Sequence, residues 1–230
     1  MIDSCISVEG DSYRNKFISR LISGDALELI EQNKTEVEYF SGQVIVKQSS
    51  FASKILYLKS GYIKVIKEGN KGKNCFIKVI EEGNFISVPI HENQQKYFFT
   101  AMALTDVCIC EIQESIIHNR LIKSSKLFDY LNDQYYFDQQ FLMNKLLVLA
   151  TRNSHGKLAS GIIYFDRFNK PGFSIFDYIT RKDMADFCSI SVESVNKILQ
   201  ELNNDKIIFI DRKGIQINKL VLLEKLSNLG

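Results

Sequence analysis

The stretch Thr180–Leu202, TRKDMADFCSISVESVNKILQEL, decides how the chain is read. Thr180 with Asp183 three residues on is the pairing that closes the first turn of a helix, each side chain taking up a backbone N–H that lacks an intrahelical acceptor. Ser191 stands where a second helix starts, since its hydroxyl can accept from such an N–H. From there Val195, Ile198, Leu199 and Leu202 recur at the spacing of a buried helical stripe. Only Cys188, Ser189 and Ile190 separate the two helices, the turn length of a helix-turn-helix. Ala185 is small where the helices must cross closely, and Met184, Ile190, Val195 and Ile198 supply apolar contacts that lock the angle. Ser189 occupies the turn position that favours glycine for its left-handed backbone.

The second helix leaves Val192, Glu193, Asn196, Lys197 and Gln200 on its uncovered face. In a major groove, the N-terminal residues of such a helix meet base edges. Lys197 can donate to guanine or a phosphate, Glu193 can accept from cytosine N4, Asn196 can reach an adenine or a phosphate, and Val192 can pack on a thymine methyl or a sugar. Glu193 also suits the positive end of the helix dipole. The expected backbone contacts are Arg181, Ser191 and a hairpin tip at Arg212-Lys213.

Around this motif, HGKLASGIIYFDRF reads as a helix, Lys170 to Gly172 as a turn and FSIFDYI as a strand. IIFID and GIQIN, parted by Arg212-Lys213, read as a β-hairpin, and KLVLLEKLSN as a final helix. Residues 153–230 are therefore expected to form a winged helix-turn-helix. Upstream, SKLFDYLNDQYYFDQQFLMNKLLVLAT has neither Gly nor Pro and predicts one long helix within 125–152. Leu127, Leu131, Tyr135, Leu142, Leu146 and Leu149 form a stripe that Phe128, Phe137, Phe141 and Val148 widen beyond one face. A helix apolar on more than one side needs covering on more than one side. The strand domain would cover one side, and the same helix of a second copy the other. Residues Val37 to Ile112 alternate at a period of two between turn glycines. They predict an antiparallel sandwich or roll within 1–124, preceded by short helices between Asn15 and Gln32.

Composition narrows the function. The 230 residues, 45% apolar, suffice for real cores, and the net charge of +2 is too small to imply nucleic acid by itself. From Arg152 onward, 12 Lys+Arg face 9 Asp+Glu, a local +3 that leaves the remainder at −1. Five scattered cysteines without a CxxC point to free thiols. The acidic N-terminus is no secretory signal, and no apolar run reaches about 18 residues, so a soluble, cytoplasmic chain with no membrane partner is expected. His91, His118 and His155 are far apart, which argues against a cupin-type metal enzyme. GxSxG, P-loop and HExxH are all missing, and no enzymatic activity is expected.

Taken together, the sequence resembles the CRP/FNR family of bacterial transcription regulators over nearly its whole length. Gly42, Gly61 and Gly83 match turn glycines of that family's cyclic-nucleotide-binding-like β-roll, and GNFIS resembles its GDFIG. ITRKDMADF with SVESVNKIL resembles its winged helix-turn-helix signature, in the form closer to the FNR branch. The resemblance implies an α+β fold: an N-terminal antiparallel β-roll (a double-stranded β-helix), a long dimerisation helix and a C-terminal winged helix-turn-helix. It implies a homodimer on near-palindromic double-stranded DNA, with RNA polymerase as a further partner if the protein activates. It makes Val192, Glu193, Asn196 and Lys197 the base readers, Lys197 standing in place of the family's usual arginine.

For an effector the resemblance predicts little. In cAMP-binding relatives an Arg-Ser pair clamps the cyclic phosphate. Here that position falls near Tyr97-Phe98, and no arginine occurs between Arg20 and Arg120, which argues against cAMP or cGMP. Oxygen-sensing relatives carry a cluster of N-terminal cysteines, whereas only Cys5 lies near this N-terminus, which argues against an iron–sulfur cluster. Haem ligation by His91, Cys75 or Met102 stays open, without a ligand pair to name. An unidentified small-molecule effector would be expected near His91, Tyr97, Thr100 and Tyr135. The alternative function is a ligand-sensing β-roll protein whose winged helix contacts a protein instead of DNA.

Overall fold

Among the described residues, alternation at a period of two yields eight strands ahead of the long helix: β1 (Lys34–Tyr39), β2 (Val44–Val46), β3 (Lys54–Ser60), β4 (Tyr62–Glu68), β5 (Asn74–Glu81), β6 (Phe85–Ser87), β7 (Thr100–Ala103) and β8 (Val107–Gln113). They form two four-stranded sheets, ordered β1-β8-β3-β6 and β2-β7-β4-β5. The β1–β8, β3–β8, β3–β6 and β2–β7 pairings are antiparallel, with Val37 opposite Ile109 and Ile55 opposite Ile112. This is a computed structural model that describes residues 32–88, 96–113, 125–211 and 214–229. The helices expected between Asn15 and Gln32 lie almost entirely outside the described residues, as do His91, Arg212 and Lys213.

The chain divides into two compact units, Met1–Val65 with Val79–Asp138, and Ile66–Lys78 with Gln139–Gly230. The core of the first is Leu58, Ile63, Ile109 and Ile112, all essentially inaccessible, each contributing about 1.5–3 kcal/mol by burial. Gly61 makes the sharp turn from β3 to β4 at φ +87°. A β-carbon there would lie 2.7 Å from Thr105 Oγ1 and closer still to the Asp106 carbonyl oxygen. Since Thr105 Oγ1 already accepts from Tyr62 N–H at 3.0 Å, the neighbour cannot yield. Gly61→Ala should cost about 2–4 kcal/mol, read as a lower urea midpoint at unchanged slope.

Helix α1 (Ser125–Thr151) is the expected long helix. Its first turns dock on the roll through Leu127 and Leu131, which are 2% and 7% exposed. Tyr130 Oη donates to Gly83 O at 3.0 Å, and Gln134 Nε2 to Phe85 O at 2.9 Å. The stripe expected to meet a second copy is thus divided. Leu127 and Leu131 are covered within the chain's own first unit, whereas Tyr135, Leu142 and Leu146 remain exposed and Leu149 is partly so. Tyr136, Met143 and Leu147 extend the exposed apolar surface.

In the second unit, Asn153 caps α2 (Ser154–Asp166) by accepting from the N–H groups of His155 and Gly156. Leu158, Ala159, Ile162 and Phe165 face its core. Helices α3 (Arg181–Cys188) and α4 (Val192–Asn204) follow, then strands β9 (Ile208–Asp211) and β10 (Gly214–Ile217) and helix α5 (Leu220–Leu229). One expectation fails: FSIFDYI is no strand. Phe173 makes only an isolated bridge to Lys170, and Ile175–Asp177 is a turn of 3₁₀ helix. Ile175 N–H donates to Asn169 Oδ1 at 2.9 Å, and Ile175 and Phe176 are both buried. A side chain from the preceding loop thus takes the donor that a sheet would have used.

Candidate nucleic-acid interface

Helices α3 and α4 place the expected site. The α3 cap is reciprocal: Thr180 Oγ1 accepts from Asp183 N–H at 3.0 Å, and Asp183 Oδ2 accepts from Thr180 N–H at 3.0 Å. Ser189 closes the helix in the left-handed region, φ 52° and ψ 46°, its N–H and that of Ile190 both reaching Ala185 O. Serine therefore adopts the conformation usually left to glycine, at a cost of about 1–2 kcal/mol in an L-residue. The Ser191 hydroxyl accepts from Ser194 N–H and starts α4. Val195, Ile198, Leu199 and Leu202 are buried beneath it. Asn203 Oδ1 accepts from Ile210 N–H at 3.0 Å, tying the end of α4 to the β9–β10 wing.

This framework leaves Glu193, Asn196, Lys197 and Gln200 exposed on one side of α4, with Val192 half-buried at its edge. Glu193, in the first turn, has its carboxyl held below the ordinary value by its own backbone N–H and by the Ser191 hydroxyl, so it is ionised wherever DNA would be bound. Lys197 Nζ stands 4.0 Å from Glu201 Oε1, one turn on. Arg181 is half-buried, with Nη1 3.7 Å from Met184 Sδ, and burial lowers the pKa of its guanidinium. It lines a 410 Å³ cleft with Phe176, Asp177, Asp211, Gly214 and Ile215 at the base of the wing. Its guanidinium is therefore less open than that of a fully exposed residue at the start of α3. The wing tip, Arg212-Lys213, lies outside the described residues.

Of the residues expected near an effector, Tyr97, Thr100 and Tyr135 lie among the described residues and His91 does not. Thr100 is buried and its hydroxyl accepts from Gln48 N–H at 2.9 Å. Tyr97 is buried by Phe99, and burial, then the nearby Glu111 charge, push its phenol up to about 12. Tyr135 is half exposed on α1, its pKa raised by burial and by Asp138. Where the resemblance implied a phosphate clamp, Tyr97 is buried and Phe98 exposed, next to an exposed Lys96. Among the described residues no group of three or more His, Cys, Asp or Glu could hold a metal ion. Cys188 lies in the core with its thiol 3.4 Å from Lys157 O, and burial pushes it up to about 12.

Sequence reasoning missed two polar contacts of this unit. His155 Nε2 lies 2.8 Å from Glu201 Oε2. Lys145, buried on α1, donates to Phe76 O at 2.5 Å and Ile77 O at 2.9 Å, with the Phe187 ring centroid 3.4 Å away. Both join residues at least 42 positions apart, and no spacing rule could have linked them.

Comparison with known proteins completes the picture. Residues 36–123 match the family model of a cyclic nucleotide-binding domain, and residues 156–226 that of a Crp-like helix-turn-helix domain. An anaerobic regulatory protein of Bacillus subtilis (strain 168) is 24% identical over 202 residues, covering 85% of this chain and 84% of the relative. The fumarate and nitrate reduction regulatory protein of Vibrio cholerae is 24% identical over 209 residues, 87% of this chain and 81% of the relative. In fold, the chain is similar to FixK2 from Bradyrhizobium japonicum, with a TM-score of 0.74 at 17% identity over 84% of this chain and 97% of that one. It is similar also to the c-di-GMP responsive global regulator CLP of Xanthomonas campestris, with a TM-score of 0.72 at 14% identity over 84% and 97%. No helix among the described residues is long and apolar enough to cross a membrane.

Proposed function

We propose, since the chain belongs to the CRP/FNR family of DNA-binding bacterial transcription regulators, that it reads a near-palindromic operator as a homodimer, one α4 helix per half-site. The observation that carries this is the exposed Glu193, Asn196 and Lys197 on the N-terminal half of α4, supported beneath by a fully packed apolar stripe. A helix seated so rigidly can present base-reading groups without ordering them on contact. Glu193 would accept from cytosine, Lys197 would donate to guanine, Asn196 would contact adenine or a phosphate, and Val192 would meet a thymine methyl. Arg181, Ser191 and the Arg212-Lys213 tip would hold the backbone. Lysine at position 197 lacks the bidentate fork of arginine, so discrimination at its guanine would be modest.

The exposed run Tyr135, Leu142 and Leu146 supports pairing of α1 with its own copy, starting beyond the turns that Leu127 and Leu131 bury. Such a dimer would set two recognition helices about one helical turn of DNA (~34 Å) apart, and its place of action would be the cytoplasm.

Selection from random duplexes by the purified protein, followed by gel shift, tests the proposal. A palindrome with that spacing is expected, bound less tightly as salt rises. Glu193→Ala should then change preference at a single base pair by roughly five- to hundredfold. Loss of stability with unchanged base preference would reduce Glu193 to a cap of α4.

A further inference from the structure

Resting on the assignment of Lys197 to the DNA face, we propose that Glu201, held by His155, is a positioning residue that aims Lys197 and sharpens its choice of base. Glu201 sits one turn beyond Lys197 on α4, and its two oxygens are divided between two elements. Oε2 lies 2.8 Å from His155 Nε2, which projects from the first turn of α2, and Oε1 lies 4.0 Å from Lys197 Nζ. A carboxylate one turn from a lysine that meets DNA is costly for binding as such, because it repels phosphates. Held in place by a neighbouring helix, however, it restricts an otherwise flexible four-carbon side chain. Lys197 is 77% exposed, and among the described residues this carboxylate stands 4.0 Å from its ammonium. The imidazole fixes the carboxylate, and the carboxylate narrows the arc swept by the ammonium. Glu201 would lower affinity for all DNA and raise the ratio of operator to arbitrary sequence.

This sign pattern separates positioning from a merely structural role, since a damaged fold weakens binding to every duplex. The probes are the duplex selected by the native protein and a scrambled version of it, at one fixed salt concentration. Glu201→Gln is expected to bind the scrambled duplex about two- to fivefold more tightly, and to lose the operator-to-scrambled ratio by a similar factor, the scale of an exposed ion pair. In a Lys197→Ala background, Glu201→Gln should leave the ratio where Lys197→Ala alone puts it. A ratio unchanged by Glu201→Gln would overturn the proposal, as would an equal fall with and without Lys197. If Lys197→Ala alone leaves discrimination intact, the placing of Lys197 on bases fails instead, and the positioning role fails with it.

Discussion

Leu146→Glu is expected to leave the fold intact, convert the protein to a monomer and weaken operator binding by about 10²–10⁴-fold, the range by which linking two half-site contacts multiplies affinity. Leu146 is 63% exposed on α1, so a carboxylate costs little within one copy, and the urea midpoint should fall only by the stability that association adds to the native protein. In a paired helix two such carboxylates would lie in an apolar seam without partners, which no dimer of modest area tolerates. Leu142→Lys, elsewhere on the same exposed surface, should act alike. Sedimentation equilibrium reads the state of association and gel shift the affinity. A variant that remains dimeric would remove Tyr135, Leu142 and Leu146 from the proposed seam.

Lys145→Ala should destabilise the protein by about 2–4 kcal/mol, through two carbonyl acceptors losing a donor and a cavity left by the aliphatic stem. Lys145→Met, which keeps the stem and removes the buried charge, should cost much less. The two variants should also differ from the native protein in how stability follows pH. Burial pushes the Lys145 ammonium down to about 8 from an ordinary 10.5. As pH rises the folded protein therefore releases this proton before the unfolded chain does. Between about 8 and 10.5 the unfolded chain binds more protons, so stability rises with pH by up to about 1.4 kcal/mol per unit. Below pH 8 both states are charged and the full cost of burying the charge persists. Urea titrations from pH 7.5 to 9.5 should show the native protein gaining on Lys145→Met. A constant difference across that window would mean that Lys145 keeps an ordinary pKa in the fold.

What could be read from residues alone follows the range of the forces involved. The helix-turn-helix was legible because caps and stripes are local: Thr180 with Asp183, Ser191 with Ser194, and the buried Val195, Ile198, Leu199 and Leu202 all act within two turns. The left-handed backbone at Ser189 falls at the turn position where such motifs favour glycine. FSIFDYI shows the limit of periodicity over seven residues, where the side chain of Asn169 took the amide hydrogen bond a strand needs. The stripe on α1 looked continuous from Leu127 to Leu149, and only the contacts of Tyr130 and Gln134 with the roll explain why it is covered at one end. Lys145 stands between Asn144 and Leu146 like any polar residue of an amphipathic helix. Its burial depends on carbonyls some seventy positions away.

Phe76 brings a different consequence. It is 1% exposed, with its ring centroid 5.7 Å from that of Phe165 and 5.6 Å from that of Phe187, although it belongs to β5, far ahead of the winged helix in sequence. The unit that carries α4 is therefore not a contiguous piece of chain. A fragment starting at Gln139 would retain α2 to α5 and the wing but leave an aromatic vacancy between two helices, with the Lys145 ammonium lacking its acceptors. Domain exchange with other regulators would meet the same obstacle: a graft of the C-terminal segment has to bring along a replacement for the β4–β5 tip.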